Sequence, residues 1–352
     1  MVEGLRAIAG SRRRRDDVFI KVGDSNTANR AFMRCFAGGD VRLAGRDHLR
    51  PTIDHFLAGR ILGTDPFRRS SSAARSGWSV HGVLAGDPPP LRHEIQVASP
   101  RFALVGFGTN DIDGRRPHVF ARRLWRVLSI LTSEGVIPVV SSMPPRLDDP
   151  AVDQLVPYYN LIMRGLAKGL GLPFVDVRGA TLPLPRGGIA SDGIHWDVFI
   201  ERGRLEPCDF SETGLAHGHN TRNLLQLEML HRLRVTVLEG HPAIDEPWPL
   251  REGSGTDADP FVLSQLPAVF MGATTNGRHV HMVNLQRRTS TRAQVIGRSS
   301  PPPRLVVGRD GDRLTVPVRE PAVVELGPGP NRFEVVADAG EPYLLVVQQL
   351  DP

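Results

Sequence analysis

The sequence predicts an α/β protein in which helices cover both faces of a parallel sheet, followed by a small region of β-strands. Over the first two-thirds of the chain, short apolar runs alternate with helical patterns, as in open parallel sheets. Glycine, proline or charged residues bound each run, which is typical of buried parallel strands. The predicted strands are Val18–Val22, Phe102–Phe107, Val136–Ser141 and Pro173–Val177.

Two long segments of this region follow the period of an α-helix. The first has an apolar stripe on one face, formed by Phe120, Leu124, Val127, Leu128 and Leu131. Gly135 follows the stripe and is a natural helix stop. The second predicted helix runs from Thr221 to about Leu238 and is also closed by a glycine.

Charge and composition divide the chain into four regions. Residues 1–16 are expected to form a basic N-terminal arm whose arginines are solvated, and residues 17–240 to form the α/β domain. Residues 241–256 are rich in proline, glycine and acidic residues and are expected to be a linker. Residues 257–352 are expected to form a sandwich-like β-domain, which either binds a carbohydrate or a partner or only stabilises the chain. Its predicted strands are Leu305–Val307, Arg313–Val318, Ala322–Leu326, Arg332–Ala337 and Tyr343–Gln348.

Bulk properties restrict the classes of partner and compartment. The 352 residues carry a formal net charge of +5, but the charges are mixed along the chain and no basic helix is evident, so nucleic-acid binding is not expected. No apolar run is long enough to span a membrane. The N-terminus lacks the apolar core of a secretory signal, so the default expectation is a cytoplasmic protein. A truncated start combined with a Cys35–Cys208 disulfide would instead indicate the periplasm or the exterior, and the two cysteines alone leave thiols and disulfide both open.

Three short motifs carry residue types that suit acyl transfer. Gly-Asp-Ser ends in Ser25 just after a predicted strand, Gly-Thr-Asn-Asp contains Asn110 just after another, and Asp-Gly-Ile-His joins Asp192 to His195. A serine nucleophile needs a base within hydrogen-bond reach, and the base needs a third group that fixes its tautomer. Ligands of open parallel sheets lie beyond the carboxyl ends of the strands. We therefore expect Ser25, His195 and Asp192 to act as nucleophile, base and orienting carboxylate.

The order of these motifs resembles the SGNH/GDSL hydrolase superfamily of esterases and lipases, over roughly Val18 to Leu238. The resemblance implies a three-layer α/β/α, flavodoxin-like domain and a serine esterase that works without metal or organic cofactor. It also implies an oxyanion hole formed by the Ser25 amide, the Asn110 side chain and a glycine amide, for which Gly77 is the best match and Gly82 a poorer second. The implied substrate is a small-molecule or glycan ester, with a short acyl group favoured. A lipase-type or lysophospholipase-type hydrolase, or a non-catalytic binding protein that retains the fold, is the alternative.

Structural roles compete with these assignments. Ser25 is alternatively the N-cap of a helix, Asn110 a turn residue, and His195 a surface or core histidine. Asp197 is a rival partner for His195, although its position two residues further along an extended segment is expected to turn it away. The neighbouring Asp24 is expected to brace the nucleophile turn.

Several further residues have weaker claims on function. Asp111 is expected to accept hydrogen bonds from loop amides. His217 and His219 have zinc-ligand spacing but no third ligand, so a loop that lines the cleft is favoured. The adjacent arginines Arg68 and Arg69 are expected to be solvated rather than to bind an anionic substrate.

The chain departs from the family pattern in the residue after the serine and in the length of two connections. Asn26 occupies the position where the family usually has leucine. Long segments, Cys35 to about Gly77 and Asp197–Asn220, separate or follow the motifs and are expected to shape the substrate pocket.

Overall fold

The computed structural model divides the chain into two compact units, Met1–Ile244 and Asp245–Pro352. The residues that the structure describes are 1–39, 41–242, 261–263, 268–274, 277–285, 288–297, 303–309, 312–316, 322–339 and 342–350. The predicted linker, 241–256, lies almost entirely outside these residues. The domain boundaries 17–240 and 257–352 and the role of the second domain therefore stay predictions.

Helices surround the sheet of the first unit. They are α1 (Val2–Ser11), α2 (Ser25–Ala28), α3 (Arg50–Ala58), α4 (Val80–Leu84), α5 (Pro90–Ala98), α6 (Pro117–Ser133), α7 (Pro150–Asp153), α8 (Val156–Gly169), α9 (Val177–Thr181), α10 (Glu212–Leu215) and α11 (Gly218–Leu233). Short 3-10 helices lie at Arg34–Ala37, Asp47–Leu49, Ile112–Gly114 and Pro185–Gly188. Proline lies in the first turn of α3, α5, α6, α7 and α8, where its missing N–H leaves no intrahelical bond unmade. Within the described part of the chain, none of the helices combines the length and the apolar character that a membrane span needs.

The central sheet is parallel and has the order β1 (Arg15–Gly23), β2 (Pro100–Gly106), β3 (Ile137–Ser141) and β4 (Phe174–Val175). Its strands are almost wholly buried, because helices cover both faces. A small hairpin, β5 (Ile200–Glu201) and β6 (Arg204–Leu205), lies apart from this sheet. The predicted α/β fold, its four parallel strands and the helix that carries the apolar stripe are confirmed.

Two expectations for the first unit are wrong in detail. The N-terminal residues form α1 instead of a free arm, since Leu5 is buried and Arg6 donates to the carbonyl of Thr236 at 2.7 Å. Arg14 also pairs with Glu134 at 2.7 Å instead of remaining solvated. The last helix begins at Gly218, three residues before the predicted start, and changes to a π-helical turn at Arg234–Leu238.

The second unit is built from short strands, as predicted, in two sheets. One has the order β13 (Ala322–Leu326), β10 (Thr289–Gly297), β15 (Pro342–Gln349) and β8 (Ala268–Ala273). The other has the order β12 (Asp312–Val316), β11 (Arg304–Arg309), β14 (Gly329–Val336), β9 (Arg278–Leu285) and β7 (Phe261–Leu263). Every described strand pair is antiparallel except β7 with β9. Both sheets contribute to one core, which includes Val295, Leu305, Val324, Phe333 and Leu345.

The four strands of this unit that precede residue 300 escaped prediction. Strand β9 illustrates the reason, because His279 and His281 are buried and both bond the hydroxyl of Tyr343 at 2.8 Å. Polar residues that point into a core disrupt the alternation by which a strand is found.

A disulfide joins Cys35 to Cys208, and their Cα atoms are 5.7 Å apart. The bond resolves the choice that the sequence left open. It connects the segment that follows Ser25 to the segment that follows His195, and Asn223 supports the same connection. The side chain of Asn223 donates to the carbonyls of Ala31 and Pro207 at 2.8 and 3.0 Å.

Candidate active site

The turn that carries Ser25, the predicted nucleophile, begins at Asp24, where β1 ends; it is called the nucleophile turn below. Asp24 is the N-cap of α2, and its carboxylate accepts a hydrogen bond from the amide of Asn26 at 3.0 Å. Asp24 thus braces the turn, as expected. Asp24, and not Ser25, is the N-cap, and Ser25 is the first helical residue. Only glycine fits at Gly23, since a Cβ there would lie 2.2 Å from the carbonyl oxygen of Gly106 on the neighbouring strand.

The structure brings Ser25, His195 and Asp192 into one line of hydrogen bonds. The Ser25 Oγ lies 2.9 Å from the Nε2 of His195, and the Nδ1 of the same ring lies 2.7 Å from the Oδ2 of Asp192. The histidine and aspartate side chains are 34% and 49% exposed, so the site is open to solvent.

The carboxylate of Asp192 is held in its ionised form by its own loop. Its Oδ1 accepts hydrogen bonds from the amides of Ile194 and His195 at 2.9 and 3.0 Å. Partial burial raises the pKa of Asp192, but these two amides and the imidazole outweigh burial and lower the pKa to about 2. An ionised carboxylate at this position fixes the proton on Nδ1 and leaves Nε2 free to accept the serine proton.

Asn110 is linked to the loop that contains Gly77. Its Nδ2 donates to the carbonyl of Trp78 at 2.9 Å, which uses one of the two amide hydrogens. The same loop is tied to the nucleophile strand, because the amide of Arg75 donates to the carbonyl of Gly23 at 3.1 Å. Gly77 has φ +77°, a backbone conformation that favours glycine, whereas the amide of Gly82 is already bonded to the carbonyl of Ser79.

Asp111 accepts hydrogen bonds from the backbone, as expected, although the donor is the first amide of α4 and not a loop amide. Both of its carboxylate oxygens accept from the amide of Val80, at 3.0 and 3.1 Å. Burial raises the pKa of Asp111 to about 7, although the bond from Val80 opposes this. Asn110 and Asp111 thus bond Trp78 and Val80, so two adjacent residues in the connection that follows β2 support the Gly77 loop.

Asp197 has a partner other than His195. Its Oδ2 lies 2.7 Å from the Nδ1 of His217, and its Oδ1 accepts from the amide of Gly218 at 2.6 Å. His219 belongs to α11 and is completely buried, so the expectation that both histidines lie in a cleft loop is wrong for His219. Burial holds the pKa of His219 well below its usual value.

The two arginines after the long first connection differ from each other. Arg68 is exposed, as expected, whereas Arg69 is not solvated. The Nε and Nη2 of Arg69 donate to the fully buried carboxylate of Glu94 at 2.8 and 3.1 Å. The expectation of a solvated pair is therefore wrong for Arg69, because its charge is needed to neutralise a buried acid.

Residues that the sequence did not single out support the site from α11. Arg222, Asn220 and Asn223 are buried and bond the backbone of the segments that carry Ser25 and His195. No sequence signal separates them from solvated residues of a helix. Asn26 was noticed in the sequence only because it stands where the family usually has leucine. In the structure its side chain accepts a hydrogen bond from the amide of Trp196 at 3.2 Å.

Fold and site together define a class of protein, an α/β/α domain with serine, histidine and carboxylate aligned at the carboxyl edge of its parallel sheet. The profile described as GDSL-like Lipase/Acylhydrolase family matches residues 22–198, which is half of the chain. The chain therefore belongs to this family, and it is a hydrolase that acts on ester bonds. No curated protein matches the chain.

Solved structures resemble the chain only distantly. A member of the lipolytic G-D-S-L family from Veillonella parvula is 18% identical, with a TM-score of 0.40, and the match covers 61% of this chain and 98% of that one. An acetylxylan esterase from Geobacillus stearothermophilus is 14% identical, with a TM-score of 0.40 and coverage of 60% and 93%. The pre-peptidase C-terminal domain of a collagenase from Bacillus anthracis is 14% identical, with a TM-score of 0.23 and coverage of 25% and 96%.

Proposed function

We propose that the chain hydrolyses carboxylic esters through an acyl-enzyme formed on Ser25, with His195 as general base and acid and Asp192 as the group that orients the imidazole. The observation that supports this most strongly is the continuous line of hydrogen bonds, 2.9 Å from Ser25 Oγ to His195 Nε2 and 2.7 Å from Nδ1 to Asp192. Both separations are already within hydrogen-bond reach, as proton transfer requires, in the protein without substrate.

The reaction proceeds in two steps that share the same base. The Ser25 oxygen attacks the ester carbonyl carbon while His195 Nε2 takes the hydroxyl proton, and the proton then passes to the alcohol oxygen as its bond to carbon breaks. Water attacks the resulting acyl-serine, gives its proton to Nε2, and the carboxylic acid leaves as serine recovers its proton. Asp192 remains ionised throughout and stabilises the imidazolium.

The oxyanion of each tetrahedral intermediate is stabilised by three donors, which are the backbone amides of Ser25 and Gly77 and the side-chain amide of Asn110. Among the residues that the structure describes, nothing accepts a hydrogen bond from the amide of Ser25 or of Gly77. Asn110 retains a second amide hydrogen after bonding Trp78. Donors without a competing partner are available to an oxygen that becomes negative in the transition state.

Short acyl groups, such as O-acetyl on a carbohydrate, are the proposed substrates. Ser25, His195 and Asp192 together form the proposed relay. Its histidine and aspartate are 34% and 49% exposed, so the reacting carbonyl lies near solvent. A long acyl chain gains binding energy only from apolar surface that covers it, whereas a small acyl group on a bulky polar alcohol needs little cover. A series of p-nitrophenyl esters tests this, because a rate optimum beyond about C8 would favour the lipase-type alternative.

Replacement of the nucleophile tests the proposed mechanism. Ser25→Ala should abolish turnover of p-nitrophenyl acetate and labelling by a fluorophosphonate probe, since both need the serine oxygen. Ser133→Ala is the matched control, because Ser133 is an exposed serine at the end of α6. Undiminished turnover by Ser25→Ala would show that another group is the nucleophile. Absence of both turnover and labelling in the wild-type protein would favour the non-catalytic alternative.

A further inference from the structure

Helix α11 packs a polar face against the rest of the first unit. Helices of globular proteins usually bury an apolar stripe. Helix α11 buries leucines too, but five of its polar side chains are also at most 3% exposed: His219, Asn220, Arg222, Asn223 and Gln226. Buried polar groups need hydrogen-bond partners, so the identity of those partners indicates what the helix supports.

Three of these side chains, Asn220, Arg222 and Asn223, bond mainly the two segments that carry the reacting groups. Gln226 instead donates to the hydroxyl of Ser141, and among the described residues the buried ring of His219 has no hydrogen-bond partner. Asn223 bonds the amide of Met33 as well as the carbonyls of Ala31 and Pro207. Asn220 accepts from the amide of Phe199 at 3.1 Å, in the segment after His195. The helix therefore holds both segments through their backbones.

Arg222 holds the nucleophile turn itself. Its Nη1 donates to the carbonyl of Asn26 at 2.6 Å, and its Nη2 donates to the hydroxyl of Thr27 at 3.1 Å. The guanidinium also lies 3.8 Å from the ring centroid of Phe32. Burial lowers the pKa of Arg222 to about 10, opposed by Asp24, so the side chain remains a cation at neutral pH. A planar fork of donors on separate nitrogens holds two acceptors in a fixed geometry, whereas the ammonium group of lysine carries its rotatable donors on a single nitrogen.

Asn26 connects that turn to the base. Its backbone carbonyl is the acceptor for Arg222, and its side-chain Oδ1 accepts from the amide of Trp196 at 3.2 Å. Asn26 follows Ser25 and Trp196 follows His195, so this contact runs beside the 2.9 Å contact between Ser25 and His195.

We propose that Asn26 and Arg222 are positioning residues that set the distance between the Ser25 oxygen and the His195 ring. This inference rests on the proposed function, in which Ser25 is the nucleophile and His195 is the base. Without the Asn26 side chain, the Trp196 amide loses its acceptor and the histidine segment is released from the nucleophile turn. Without the guanidinium fork, the turn loses its support on the side of α11. A misplacement of about 1 Å can cost about 100-fold in rate, whereas substrate binding away from the relay is unaffected.

The test compares Asn26→Leu and Arg222→Lys with Arg101→Lys. Arg101 is similarly buried, at 6% exposure, and its guanidinium bonds Asp16 and the carbonyl of Gly135. It lies near the start of β2, at the amino ends of the strands, whereas the site lies at their carboxyl ends. Both site variants should lower kcat on p-nitrophenyl acetate by about 10- to 100-fold and leave KM within about twofold. The rate of fluorophosphonate labelling should fall in parallel, because labelling also needs the aligned pair. Arg101→Lys should lose thermal stability but keep kcat.

The outcomes separate this inference from the proposed function. If both site variants are folded and retain wild-type kcat, or if Arg101→Lys loses kcat as much as they do, the positioning role is refuted. If Arg222→Lys does not fold, Asn26→Leu alone decides. Activity that survives in Ser25→Ala would overturn the proposed function instead, whatever the other variants do.

Discussion

Removal of the Cys35–Cys208 disulfide is expected to destabilise the first unit strongly while leaving its chemistry intact. The cysteines are separated by 173 positions, and closing so long a loop removes much of the entropy of the unfolded chain. The chain-entropy relation gives a ceiling of about 5 kcal/mol, and a loss of about 3–5 kcal/mol is expected for Cys35→Ala/Cys208→Ala. Because Asn223 still bonds Ala31 and Pro207, the native geometry should persist, and kcat should stay within about twofold.

Urea unfolding followed by tryptophan fluorescence measures this loss. Trp78, Trp125 and Trp196, three of the four tryptophans, lie in the first unit and report its transition. A reductant should destabilise the wild-type protein and leave the double variant unchanged. Thiol titration in urea should find free cysteines only after reduction. Two titratable thiols in the unreduced protein, or equal stability of the two proteins, would refute the reasoning.

Three other perturbations are expected to have separable effects. Asn110→Ala should lower kcat on p-nitrophenyl acetate by about 100- to 1000-fold, since one oxyanion donor is lost; an unchanged kcat would remove it from the oxyanion hole. Folding lowers the pKa of Asp192 from 3.8 to about 2. Its ionised form therefore adds to the free energy of unfolding at any pH above 3.8, and this contribution is lost as the pH falls from 3.8 through about 2. In urea unfolding, the advantage of wild type over Asp192→Asn should shrink across that interval, and a constant difference would contradict it. Glu94→Gln should lower the unfolding free energy by about 3 kcal/mol with kcat unchanged, because it leaves Arg69 without its carboxylate; unaltered urea unfolding would contradict the need for this pair.

The parallel sheet was predictable because its strands are buried on both faces. Val18–Val22 and Val136–Ser141 read as continuous apolar runs, and the structure places strands at both. Strand ends were less certain, since β1 begins at Arg15, a residue that looks like part of a charged arm. The arginines at this end bond carbonyls and Glu134 across the fold, and such contacts leave no pattern in the local sequence.

The second unit was predictable only where its core residues are apolar. The run Ala322–Leu326 alternates buried and exposed residues, and the predicted bounds match those of β13. In β9 the residues that point inward include His279 and His281, each of which is bonded through one ring nitrogen to the hydroxyl of Tyr343. A buried histidine is stable when a hydroxyl from a distant strand meets it, and that pairing is decided by tertiary structure.

The relay residues and their supports differ in how far chemistry restricts them. A serine nucleophile needs a base within hydrogen-bond reach and a group that orients that base, so residue type and order in the sequence were enough to propose Ser25, His195 and Asp192, and the structure places the three side chains in hydrogen-bond contact. A backbone carbonyl such as that of Asn26 accepts a hydrogen bond from any donor in reach, so the sequence does not indicate which of the many polar residues supplies it. Which donor reaches it depends on where α11 crosses the turn, and this crossing selects Arg222. The supports of the site are therefore determined by position, and they become visible only when the chain is folded.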